Sequence, residues 1–149
     1  MTTEMDVLER LRETITNGMD EVDGTRFSED NVIIDYPDPD SMRKDTMVYI
    51  QPDYANYEEL TTASDSTLLD ATVFFVCKGA SSEALVRRVF SCFSAFWQLL
   101  KSDVTLGGSI DSSRITDMDY YPSLTASKTI TAIEAKVELQ WERRFTTRR

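Results

Sequence analysis

Residues 67–78, TLLDATVFFVCK, run through Gly79-Ala80-Ser81 into residues 82–102, SEALVRRVFSCFSAFWQLLKS, and this passage decides the fold. In the first stretch Leu69, Ala71, Val73, Phe75 and Cys77 alternate, as side chains on one face of a β-strand must. The other face carries Leu68, Asp70, Thr72, Phe74, Val76 and Lys78, and its middle is too apolar to lie bare in water. A central strand covered on both faces, by its own chain or by a neighbouring subunit, is expected. After the Gly/Ser turn the period changes to 3.6. Leu85, Val89, Cys92, Phe93, Phe96, Trp97 and Leu100 form a helical apolar stripe, while Arg87, Arg88 and Gln98 point away. Glu83 near the start and Lys101 near the end suit the helix dipole.

Outward from this pair, residues 132–143 give the cleanest alternation. Ile133, Ala135, Val137, Leu139 and Trp141 interleave with Glu134, Lys136, Glu138, Gln140 and Glu142, the pattern of an antiparallel strand with one dry face. Before it, Ser109 to Tyr120 reads as a strand of irregular phase, which predicts a bulge. Towards the N-terminus, Val7, Leu8, Leu11 and Ile15 place a helix over Glu4–Thr16, capped by Thr3 with Asp6 in the first turn and stopped by Asn17-Gly18. Asn31–Tyr36 and Thr46–Gln51 read as short strands, separated by the turn chemistry of Pro37-Asp38-Pro39-Asp40-Ser41. Pro52–Ser66 is polar, acidic and carries Tyr54 and Tyr57. It is long for a connection and reads as the arm of a long hairpin, suited to a partner contact. The expectation is one α+β domain over residues 1–149, in the order α-β-β-β-α-β-β, with two helices on one face of a mainly antiparallel sheet.

The net charge of −10 is uneven: residues 1–66 hold 17 acids and 5 bases, whereas residues 67–149 hold 9 acids and 11 bases. Such a balance argues against nucleic-acid or anionic-membrane binding and suits either a solvated surface or an oligomer whose acidic and basic sides meet. No apolar run approaches the roughly 20 residues needed to span a bilayer. Met-Thr-Thr-Glu-Met-Asp lacks a basic segment leading into an apolar one, so no secretory signal is expected. Cys77 and Cys92 lie in apolar segments without CxxC spacing and read as small buried hydrophobes, with a strand-to-helix bridge as the alternative.

Histidine is absent, which removes Ser-His-Asp and Cys-His catalysis and imidazole zinc sites. No Walker A, GxGxxG or GxSxG motif occurs. Leu106-Gly107-Gly108-Ser109 opens a strand, so it lacks the helix N-terminus that holds phosphate and reads as a tight turn. Asp35, Asp38 and Asp40 could offer oxygens to a divalent cation, and Asp117 with Asp119 could pair for acid–base work. Solvated turn acids and exposed strand-end acids are the plainer readings. No catalytic residue, metal or cofactor is assigned. Arg143-Arg144-Phe145-Thr146-Thr147-Arg148-Arg149 reads either as a solubilising tail or as a docking tail for an acidic neighbour.

The order of elements, the end of the long helix in Leu99-Leu100-Lys101-Ser102-Asp103-Val104-Thr105-Leu106-Gly107-Gly108, the strand ending Asp117-Met118-Asp119-Tyr120 and the closing Leu139-Gln140-Trp141-Glu142-Arg143 together resemble the tail terminators of long-tailed bacteriophages. These are also known as tail-to-head joining, tail completion or minor tail proteins. The resemblance spans nearly the whole chain and rests on element order and short signatures, without a catalytic motif. It implies a non-enzymatic virion protein, assembled in the host cytoplasm. Its subunits would form a hexameric ring that caps the tail tube, ends polymerisation and meets the head-closure protein of the neck. DNA would pass through the lumen without specific binding. By position, the implied contact residues are Tyr54, Tyr57, Phe74, Val76, Arg143, Arg144, Arg148 and Arg149. The departure from the family pattern is the strength of the acidic bias in the first half. Alternatives are another neck or baseplate component such as a head-closure protein, or a carboxylate-based metal enzyme or ligand-binding module.

Overall fold

The computed structural model describes residues 2–79, 81–122 and 129–145. Its elements are α1 (Glu4–Gly18), β1 (Val32–Ile34), β2 (Thr46–Thr61), β3 (Ser64–Lys78), α2 (Ser82–Ser102), β4 (Ser112–Tyr121) and β5 (Ile130–Arg144). One five-stranded sheet has the order β1-β2-β3-β5-β4. The α+β class and the α-β-β-β-α-β-β order are those read from the sequence.

β3 lies at the sheet centre, paired antiparallel along its length with β2 on one side and β5 on the other. Its Leu69, Ala71, Val73, Phe75 and Cys77 face the helices and join one core with Val48 and Ile50 of β2 and Ile133, Ala135, Val137, Leu139 and Trp141 of β5. Both helices cover that same face. From α1 come Val7, Leu8, Leu11 and Ile15; from α2 come Leu85, Val89, Cys92, Phe96 and Leu100. Burying each such side chain contributes roughly 1.5–3 kcal/mol, so the α2 stripe is the principal anchor of the helix layer. The rings of Phe75 and Phe96 meet at 5.3 Å between centroids.

Four features differ from the sequence reading, each for a local reason. The helix α1 has its capping box, with Thr3 Oγ1 accepting from the Asp6 N–H at 3.1 Å and Asp6 Oδ2 accepting from the Thr3 N–H at 2.9 Å. It continues through Gly18, however, which lies against Leu99: a Cβ there would stand 2.7 Å from Leu99 Cδ1. The glycine serves the approach of α1 to α2 rather than a left-handed stop. β1 is shorter than residues 31–36 and runs parallel to β2, so residues 35–45 must carry the chain back across the sheet. They cross the helix-free face, where Tyr49 Oη donates to the Asp38 carbonyl at 3.4 Å. β2 continues ten residues beyond Gln51, making residues 52–61 strand. Finally, Trp97, placed in the buried stripe by its spacing, is 41% exposed. It sits on the flank of α2 near β4, and among the described residues no further strand lies beyond β4 to cover it.

Two bulges share one transverse row. Pro52 pairs with Ala71, Ala71 with Val137, and Val137 with Ile115. Immediately after this row Asp53 on β2 and Thr116 on β4 are the extra residues. Bulges re-aim side chains. The one at Asp53 puts Asp53 and Tyr54 together on the helix-free face and turns Tyr57 towards α1.

Candidate functional site

The helix-free face of the sheet has two halves of different chemistry. Near β1, Met47, Tyr49, Val76, Ile130 and Ala132 form a second small apolar cluster, with Ile33, Met42 and Phe74 partly buried against it. Met42 belongs to the crossing segment 35–45, so the chain covers this half itself. Val76 has no exposed surface, and its expected availability to a partner is corrected on that ground. Phe74 is half-buried. Of the two covers expected for the apolar outer face, its own chain or a neighbouring subunit, the chain itself supplies most of this half.

Beyond the bulges the same face is open and charged. A cleft of about 350 Å³ is lined by Asp53, Asp70, Asp117, Lys136 and Glu138 among others. Lys136 Nζ lies 2.6 Å from Glu134 Oε1 and 3.9 Å from Asp53 Oδ2, and donates to Thr72 Oγ1 at 3.1 Å. The Thr72 hydroxyl in turn donates to Asp53. The hydrogen bond to Glu134 raises the Lys136 pKa. Burial works to raise Glu134, but hydrogen bonds from Lys136 and from Tyr121 (2.8 Å) outweigh it and hold the carboxyl below its ordinary range. Asp70 is the unsatisfied member. Burial first, then the nearby Glu138 and Asp53, push its pKa up, and its Oδ1 has no hydrogen-bond partner among the described residues.

The far end of the hairpin is tied to the first helix. Arg143 reaches Glu4 at 3.1 Å and Asp65 at 3.4 Å, with only 14% of its side chain exposed, and its guanidinium lies 4.9 Å from the Tyr57 ring centre. Tyr57 Oη donates to the same Glu4 carboxylate at 2.8 Å. That hydrogen bond, the helix's own backbone and Arg143 hold Glu4 below the usual carboxylate range. Tyr57 and Arg143, expected to face a partner, are thus engaged within the chain. Tyr54 and Arg144 are exposed, Arg144 with Glu142 at 3.5 Å. Arg148 and Arg149 lie outside the described residues.

The structure does not assemble the carboxylates weighed from the sequence into a metal centre. Among the described residues no group of three or more His, Cys, Asp or Glu side chains is placed to hold an ion. Asp35 accepts from the Tyr36 N–H and Asp38 from the Ser41 hydroxyl, as turn acids do. Asp117 and Asp119 are exposed on the edge strand. At Leu106-Gly107-Gly108 all three residues have positive φ, and the amides of Gly107 and Gly108 point to Asp103 Oδ1 and Thr105 Oγ1, leaving no anion cradle. Cys77 and Cys92 are free and buried; the neighbouring Cys77 first, and then burial, push the Cys92 thiol far up. Among the described residues no helix is long and apolar enough to cross a membrane.

The sequence reading missed the flank of α2 over β4. Phe90 and Tyr120 stack at 5.1 Å, Phe93 and Trp97 at 6.2 Å, and Lys101 Nζ lies 5.0 Å over the Trp97 ring. Below Trp97, Leu100, Lys101, Val104, Ser113, Arg114 and Ile115 line a notch of about 40 Å³. A wider cleft of about 440 Å³ shares Lys101, Ser113 and Arg114. The signal was present: an aromatic stripe too wide for the strands beneath it.

No protein-family model and no curated protein matches the chain. Among solved structures, a chain of the "Virion of native gene transfer agent (GTA) particle" is similar over 89% of this chain and 84% of that one, with 10% identity and a TM-score of 0.44.

Proposed function

We propose that this chain is a structural subunit of a phage-like virion, and that copies of it form a ring that caps the tail tube and joins it to the head. The observation that carries the self-assembly is a pair of unpartnered sheet edges on opposite sides of the molecule. Among the described residues β1 pairs only with Val48–Ile50, so β2 from Gln51 onward has no strand on its outer edge, and β4 has none along its length. Free edges are templates for further pairing. Each carries exposed aromatic or aliphatic groups: Tyr54 and Leu60 on β2, Tyr121 at the end of β4 and Trp97 of α2 over its start. Contacts made by two different surfaces propagate in one direction and close into a ring when the rotation allows. The tail-terminator role comes from the resemblance in element order and in the segments around residues 99–108, 117–120 and 139–143. In that ring the open, acid-rich half of the sheet suits a wall past which DNA slides without sticking.

Capping is the test. The full chain is added to polymerising tail-tube protein of the same virion, and tube lengths are measured by negative-stain microscopy. Tubes that stop elongating and carry a terminal ring support the proposal. Unchanged length distributions at stoichiometric excess overturn it.

A further inference from the structure

The notch beneath Trp97 has a chemistry that the ring reading alone does not assign. Its wall is apolar, from Trp97, Leu100, Val104 and Ile115. At its rim stand two cations, of which Lys101 forms no ion pair among the described residues, while Arg114 holds Glu138 at 2.7 Å. It is also lined by Ser113, only 9% exposed, whose hydroxyl has no hydrogen-bond partner among the described residues. A buried hydroxyl left unpaired is costly, and a site with such a group calls for an acceptor from outside. An occupant therefore needs an apolar side chain for the wall and a carboxylate for Lys101 and the Ser113 hydroxyl.

The chain itself carries such a segment on its opposite edge. At the end of β2, Glu58, Glu59 and Leu60 are all exposed, Leu60 at 51%, and no basic residue occurs between residues 51 and 66. We propose that the notch receives this acidic hairpin tip, Glu58 to Leu60, from a second copy of the chain. The proposal rests on the ring reading and names the contact that builds the ring. Donor and acceptor lie on opposite edges of one sheet, in the order β1-β2-β3-β5-β4, so a subunit cannot satisfy its own notch with its own tip. Each copy gives one contact and accepts one. Complementary charge sets the register, and the free backbone groups of β2 and β4 are available to pair across the joint.

Cross-linking of the full chain tests this. Leu60→Cys protein is mixed with Val104→Cys protein and oxidised with copper–phenanthroline; the native Cys77 and Cys92 are buried and do not compete. A disulfide-linked dimer is expected from the mixture and not from either variant alone. Lys101→Glu added to the Val104→Cys partner lowers the yield by at least about tenfold at low ionic strength, and Glu59→Lys in the Leu60→Cys partner restores it. Circular dichroism checks that the folds are unchanged. If wild-type rings form while the mixture gives no product, or a product indifferent to both charge reversals, the contact lies elsewhere and only this proposal is overturned. A wild-type chain that stays monomeric and gives no product overturns the ring reading with it.

Discussion

Asp70 shows what a single unpaired carboxylate does to the fold. It follows Leu69 in the central strand, pairs in register with Tyr54 and Glu138, and turns its carboxylate to the open face with one oxygen unpaired. Its folded-state pKa is raised, by burial above all. The sign of the linkage follows. Ionised Asp70 weakens the fold at pH values above the raised pKa, and the penalty fades as pH falls through it, vanishing below the unfolded value. Asp70→Asn should therefore raise Tm at pH 7, by about 2 °C, with the gain disappearing towards pH 3.5 in thermal melts across that range. A gain that is constant with pH, or a loss, would assign the residue a different role. From sequence Asp70 was only a polar interruption in an apolar strand. Its unpaired oxygen depends on residues 53 and 138, which only the sheet register brings beside it.

At the scale of elements, the regular parts were legible and the irregular ones were not. Alternation placed β5 and β3, and 3.6-residue spacing placed α1 and α2, because one-sided burial imprints its period on the chain. The irregular phase of residues 109–120 did signal the bulge at Thr116. The bulge at Asp53 left no such mark, because Pro52 ended the apparent short strand and the polar hairpin arm after it has no apolar alternation whose phase could break. Nor could spacing reveal that β1 runs parallel and that residues 35–45 bury Val76; that depends on which way the chain crosses the sheet. The candidate contacts suffered for the same reason. Tyr57 and Arg143 resemble free binding residues in sequence, but the bulge turns Tyr57 towards Glu4, and Arg143 closes the cluster. Inserting one alanine between Tyr54 and Ala55 should exchange the faces of the strand end beyond it, since a one-residue slip reverses the two sides. The expected result is loss of the Tyr57–Glu4–Arg143 contacts, about 2 kcal/mol or more of stability in urea titration, and faster proteolysis within residues 54–64. Asp53→Ala, which removes only the carboxylate near Lys136, should cost about 1 kcal/mol or less and leave the proteolysis rate unchanged. Equal effects of the two changes would contradict the role given to the bulge.

The whole molecule is a sheet closed on one face by two helices, covered over part of the other by its own crossing segment, and open along two edges. Composition had suggested an acidic side and a basic side. The fold places the exposed Glu58-Glu59 tip at one edge and Lys101 with Arg114 at the start of the edge strand β4 on the other, whose far end carries the exposed Asp117 and Asp119. A monomer so built leaves Trp97, Tyr54 and Leu60 exposed and the Ser113 hydroxyl without a partner among the described residues; the proposed ring would cover the first and pair the second. Native mass spectrometry of the full chain, alone and with tail-tube protein, measures that assembly directly. The account predicts a closed oligomer of one defined stoichiometry, a hexamer by the family resemblance, whose population falls as ionic strength rises. A protein that stays monomeric across concentration and salt, with and without the tube protein, would contradict it.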